Sequence, residues 1–113
     1  MPSFTIPKVY KNYCEDHLYK AQLLELSIGV PTSIQLAQAI AESGGGRSNI
    51  AKKALTHFGI RAGDYWAGDV YKTSSGTWRK YPTIEDGYLD HACFLSDYYG
   101  GAIGRPWSYW VKH

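Results

Sequence analysis

Along most of this chain apolar residues return every three or four positions, the spacing of a helix that buries one face, and only residues 66–81 depart from it. That contrast restricts the fold to helices plus one small β element. Val9, Tyr13, His17, Ala21 and Leu24 mark a first helix over residues 8–27, which Gly29 stops. A second is expected to open at Thr32, whose hydroxyl can cap the first free amides while Gln35 reaches back as the third helical residue. It should run to Glu42 or Ser43, with Gly44 as a left-handed terminator. A short third helix starts after Ser48 or Asn49 and covers residues 50–55. In the departing stretch, residues 70–73 and 77–81 flank Ser74, Ser75 and Gly76, which have the turn chemistry of a hairpin. Thr83, with Asp86 three residues on, begins a last long helix whose buried stripe is Ile84, Tyr88, Ala92, Leu95 and Tyr99. Gly100 and Gly101 end it, and the aromatic tail with Trp107, Tyr109 and Trp110 is expected to pack back on the body.

The layout is a single α+β, mostly α, domain over residues 1–113, with a hairpin lobe before the last long helix and a cleft between the lobes. Aromatic residues make up 15% of the chain, including ten tyrosines and four tryptophans, more than so small a core can seal from water. Some of those rings should therefore line a groove, where sugar faces are common partners. The formal charge is +2 and no basic run is longer than Lys52-Lys53, which argues against nucleic acid as a partner. The scattered histidines lack metal-ligand spacing, so neither a metal nor a cofactor is expected. Cys14 and Cys93 allow one disulfide without requiring it. Met1-Pro2-Ser3-Phe4 lacks a signal-peptide pattern, and no stretch approaches the roughly 20 apolar residues of a membrane span.

One carboxylate stands out. Glu42 falls in the last turn of the second helix, where free carbonyls and the negative end of the macrodipole disfavour another negative charge and favour the protonated acid. Shielding by Ile40, Ala41 and the glycines in a groove would act the same way. A protonated carboxyl can donate to a leaving glycosidic oxygen, and Gly44, Gly45 and Gly46 would let a bulky substrate approach the main chain. Other acids have structural roles: Glu85 and Asp86 sit in a first helical turn, and Asp90-His91 point about 100° apart on a helix with no nucleophile beside them. His17 lies on a packed stripe. His57 either touches substrate or packs beneath the lobe.

Gln38-Ala39-Ile40-Ala41-Glu42-Ser43-Gly44, then Gly46, Ser48 and Ala51, Phe58-Gly59-Ile60-Arg61-Ala62, Trp66-Ala67-Gly68, Trp78-Arg79-Lys80-Tyr81 and Asp90-His91-Ala92-Cys93-Phe94-Leu95 follow one another in the order of a known pattern. Over roughly residues 30–98 the chain resembles the glucosaminidase domain of glycoside hydrolase family 73. The resemblance implies a lysozyme-like fold and cleavage of peptidoglycan after N-acetylglucosamine, by a chain acting on the cell wall after secretion, in the periplasm, or delivered by a phage or secretion system. It implies Glu42 as general acid, Tyr81 near the reacting sugar, and Phe58, Gly59 and Trp66 along the groove, where Trp78 is a further candidate. A monomer is expected.

Two departures accompany the match. Gly45 stands where relatives often carry tryptophan, which would enlarge the groove or weaken a sugar subsite. Between Gly68 and Trp78 the only acid is Asp69, where many relatives have a second carboxylate. Three outcomes stay open: Asp69 or Asp64 activates water across the sugar from Glu42; the substrate's 2-acetamido oxygen attacks with Glu42 as acid and then base; or activity is lost. The second needs only one protein carboxylate and is preferred. Lytic transglycosylase or muramidase activity, and a non-catalytic peptidoglycan-binding module, are the alternatives.

Overall fold

A computed structural model describes residues 7–112. The helices are α1 (Lys8–Ser27), α2 (Thr32–Ser43), α3 (Asn49–Ala54), α4 (Ile84–Tyr98) and α5 (Trp107–Lys112), with a 3-10 turn at Gly100–Ala102. Strands β1 (Val70–Thr73) and β2 (Gly76–Arg79) pair antiparallel across a two-residue turn, Thr73 opposite Gly76 and Val70 opposite Arg79. The architecture is the mostly helical domain with one hairpin that the periodicity predicts. The N-terminal stretch searched for a signal lies outside the described residues. No described helix is long and apolar enough to cross a membrane.

Two ends of α2 behave differently. Its C-terminus is as expected: Gly44 adopts φ 61°, ψ 39°, and its N–H donates to the Ile40 carbonyl. Its N-terminus is not. Pro31 takes the capping position, so Thr32 is already helical and its hydroxyl caps nothing. The Thr32 amide instead donates to the Glu25 carboxylate of α1 at 2.5 Å. Gln35, relieved of any capping role, is fully buried, and its Oε1 accepts from His91 Nδ1 at 2.5 Å. At α3 and α4 the side-chain caps form as the sequence indicates, with Ser48 accepting from the Ala51 amide and Thr83 from the Asp86 amide.

The core is built from Tyr13, Ala21 and Leu24 of α1, Leu36 and Ala39 of α2, Phe58, and Tyr88, Ala92 and Leu95 of α4. Tyr99 does not belong to it. The helix ends at Tyr98, so Tyr99 has left the periodic face and is exposed, and Gly100 and Gly101 form the 3-10 turn beyond. In the tail, Trp110 packs against the core while Trp107 faces solvent. Cys14 and Cys93 are free thiols.

Inside this core sits a polar cluster. The Tyr13 hydroxyl bonds His57 Nδ1 at 2.6 Å and the Tyr88 hydroxyl at 2.5 Å, joining α1, the segment after α3, and α4. His57 therefore packs rather than facing substrate. The His17 ring stacks on Tyr88 and its Nδ1 accepts from Lys20, which makes it the packed residue its stripe predicts. Removing the shared hydroxyl leaves two buried partners unmatched. Tyr13→Phe is expected to cost about 1–3 kcal/mol, read as a Tm drop of about 4–8 °C per kcal/mol by thermal melting; an unchanged Tm would show that the cluster does not bind these elements together.

Candidate active site

Glu42 stands at the rim of a cleft of about 760 Å³. Its position follows from α2: Ala39 and Ser43 are buried, and this turns Gln38 and Glu42, one helical turn apart, toward the opening. Ser43 fixes the end of the helix from inside, its hydroxyl donating to the Ala39 carbonyl while accepting from the Gly46 amide. Opposite, the segment after α3 brings Phe58, Gly59, Ile60 and Arg61 to the cleft, and α4 contributes His91, Phe94 and Tyr98. Tyr99 and Trp110 close the far side.

Gly59 lies beside the Glu42 carboxyl. It holds φ 58°, and a Cβ placed there would stand 3.5 Å from Glu42 Oε2. The missing side chain keeps the carboxyl open to the cleft. Glu42 is the one carboxylate among the described cleft-lining residues. It is exposed, so the shielding expected from Ile40 and Ala41 is absent from the open cleft.

The glucosaminidase family, described as mannosyl-glycoprotein endo-β-N-acetylglucosaminidase, matches residues 18–111. The chain belongs to this family of glycoside hydrolases. Among solved structures, this glucosaminidase chain is similar to a peptidoglycan hydrolase from Sphingomonas sp. A1, with 28% identity, a TM-score of 0.71, and coverage of 83% of this chain and 67% of that one. It is similar also to the glycoside hydrolase domain of Salmonella typhimurium FlgJ, with 27% identity, a TM-score of 0.67, and coverage of 78% and 61%. The catalytic domain of the autolysin Auto from Listeria monocytogenes shares the fold at 22% identity and a TM-score of 0.69, over 90% of this chain and 68% of that one. The chain therefore spans about two thirds of the length of such relatives. No match is found among curated proteins. The lysozyme-like architecture is thus the family's own.

Of the residues singled out in the sequence, the glucosaminidase fold brings Glu42, Phe58 and Gly59 to one cleft. Gly45 faces elsewhere. A side chain there would meet Tyr10 of α1 at 3.3 Å, so α1 packs into the place a tryptophan would need, and the bare glycine does not enlarge the cleft. Tyr81 is 4% exposed and its hydroxyl donates to Asp90 Oδ2 at 2.5 Å, so it lies behind the cleft wall. Trp66 and Trp78 each lie under an arginine, Arg79 and Arg61 respectively, at 4.8 and 4.7 Å. Both arginines line the cleft, and the tryptophans support them from behind. Asp69 is exposed and outside the lining, with its backbone carbonyl accepting from Trp66 Nε1 and the Lys80 amide. Asp64 is likewise outside it. Among the described residues, no three His, Cys, Asp or Glu side chains cluster as metal ligands would.

His91, not singled out as a site residue, forms part of the cleft floor. Its ring stacks on Phe58 at 3.7 Å with planes 7° apart, and its Nδ1–H donates to Gln35. Burial pushes its pKa down to about 4, with Asp90 opposing. His57 is likewise pushed down to about 4, mainly by burial. Both rings are neutral when folded but take protons once unfolded, near pH 6.5. Protons thus favour the unfolded chain between about pH 6.5 and 4, and stability is complete above that window. Lowering pH from 7 to 5 should cost on the order of 3–4 kcal/mol, measured by denaturant unfolding. A flat stability over that range would mean that neither imidazole is held neutral by the fold.

Proposed function

We propose that the chain hydrolyses the β-1,4 bond after N-acetylglucosamine in peptidoglycan, with Glu42 as general acid. The family assignment and the peptidoglycan hydrolases it resembles support action on the cell wall. The observation that carries the mechanism is that Glu42 is the sole carboxylate among the described residues lining the cleft. Asp69 and Asp64 lie outside that lining, which supports a route that needs only one protein carboxylate.

In the route we favour, the substrate supplies the second group. Glu42 gives its proton to the glycosidic oxygen as the bond to the anomeric carbon breaks, while the 2-acetamido oxygen of the same sugar attacks that carbon and closes a ring. The resulting carboxylate then takes a proton from the water that attacks the anomeric carbon, which reopens the ring and restores the acid. A bound strand would cover the exposed carboxyl and exclude bulk water during proton transfer. Gly59 leaves room for the sugar beside Oε2, and the Phe94 and Tyr98 rings offer apolar faces for it.

A single acid also serves a transglycosylase, in which the substrate's own hydroxyl replaces water, and the reaction end product separates the two. Digestion of purified peptidoglycan is expected to release fragments with reducing N-acetylglucosamine ends. Glu42→Gln should lower the rate by about 10²- to 10⁴-fold with Tm unchanged. Reducing N-acetylmuramic acid ends or anhydro ends would reassign the reaction, and a fully active Glu42→Gln would remove Glu42 from it. Binding without turnover by the folded wild type would make the chain a peptidoglycan-binding module.

A further inference from the structure

Tyr81 is matched to a residue beside the reacting sugar, yet its ring is sealed. It packs edge-on against Trp66, 5.7 Å away, and against Gly87 of α4, where a Cβ would come within 3.1 Å of the ring. Its own amide donates to the Ala54 carbonyl, which fixes the backbone as well. Burial first, and then the bond to Asp90, hold the hydroxyl far above the usual phenol range, so it remains a donor. Among the described residues it donates to Asp90 Oδ2. That same oxygen also accepts from Arg79 Nη1 at 2.8 Å.

Arg79 is then held on three sides. Asp90 takes Nη1, the Arg61 carbonyl accepts from Nε at 3.2 Å, and the Trp66 ring lies against the guanidinium plane. Of the side chains in this group, Arg79 is the one that lines the cleft. A planar fork pinned along two edges can offer its remaining N–H groups at a fixed angle to an oxygen acceptor, with little rotamer entropy left to lose.

We propose that Tyr81 is a positioning residue that acts through Asp90, and that Arg79 is the group that binds the glycan, donating to an oxygen of the strand. This rests on the hydrolase reading above for the identity of the ligand, and it differs from that reading in what it asks of Tyr81. Tyr81 does not touch the sugar. Its hydroxyl holds the Asp90 carboxylate, and the carboxylate holds the guanidinium.

The test is a double-mutant cycle on soluble glycan fragments from peptidoglycan, with kcat, KM and Tm measured for Tyr81→Phe, Asp90→Asn, Arg79→Ala and the pairs. Arg79→Ala is expected to raise KM by about 10- to 100-fold. Tyr81→Phe should raise KM by about 3- to 10-fold with kcat within about threefold, and should add nothing in the Arg79→Ala background. Arg79→Lys should recover little, since an ammonium lacks the fork. A loss of kcat from Tyr81→Phe that persists in the Arg79→Ala background would overturn the proposal, because Tyr81 would then act on the reacting sugar itself. So would a fall in Tm with KM unchanged, which is the signature of a merely structural role. Binding of the same fragments to Glu42→Gln, with and without Arg79→Ala, separates this proposal from the hydrolase reading. Arg79-dependent binding without turnover in the wild type sinks only the latter, and turnover with Arg79-independent binding sinks only the former.

Discussion

The hydrogen bond from His91 to Gln35 links the helix that carries Glu42 to the helix that walls the cleft. Both partners are buried, and Phe58 lies flat on the imidazole, so three separate stretches of chain meet at one ring. A buried amide and imidazole left apart would each forfeit water without replacement. Their pairing therefore sets the spacing of α2, α4 and the segment after α3. Glu42 sits two turns beyond Gln35 on α2, and Gly59 follows Phe58 directly, which is how a carboxyl and the glycine that leaves it open come to face each other. The geometry of the site depends on a contact that neither of those residues makes.

The same principle extends to the hairpin lobe. A two-stranded ribbon has too little apolar surface to hold itself in one place. Here it is fixed by charge and rings: Arg79 at the end of β2 reaches Asp90 of α4, and Arg61 lies along Trp78 with its Nη1 donating to the Ser75 carbonyl. The bridge between Arg61 and Trp78 adds a short third edge to the sheet. The two arginines thus serve the cleft wall and the lobe at once.

Features that depend on neighbours in sequence could be read without coordinates. Ser48 and Thr83 cap their helices, Gly44 terminates α2, and the hairpin turns where the serines fall, because each needs only residues within a turn. Thr32 misled because Pro31, with its fixed φ, already occupies the position before the first helical residue, and the amide found an acceptor seven residues back in Glu25. Glu42 could be picked out from its place at a helix end, and Gln38 was available from the same periodicity. His91 and Tyr81 could not be placed. Whether a histidine on α4 faces a glutamine 56 positions away, or a tyrosine points at substrate or at an aspartate, is decided by long-range packing.

The two tryptophans carry this furthest. Counted as residues, they suggest sugar platforms, since an exposed indole in a glycosidase cleft is a natural stacking surface. In the fold each indole face is covered by a guanidinium, and each indole N–H is spent on the lobe itself, Trp66 on the Asp69 carbonyl and Trp78 on Thr73 Oγ1. What reaches the cleft is the arginine. The aromatic faces left for a sugar come from Phe94, Tyr98, Tyr99 and Trp110, residues of the helical body and its tail. The cleft is consequently two-sided in chemistry, with rings on the helical side and hydrogen-bond donors on the lobe side. A polymer that offers an apolar ring face and a polar, oxygen-rich edge, as a β-linked amino sugar does, meets both at once.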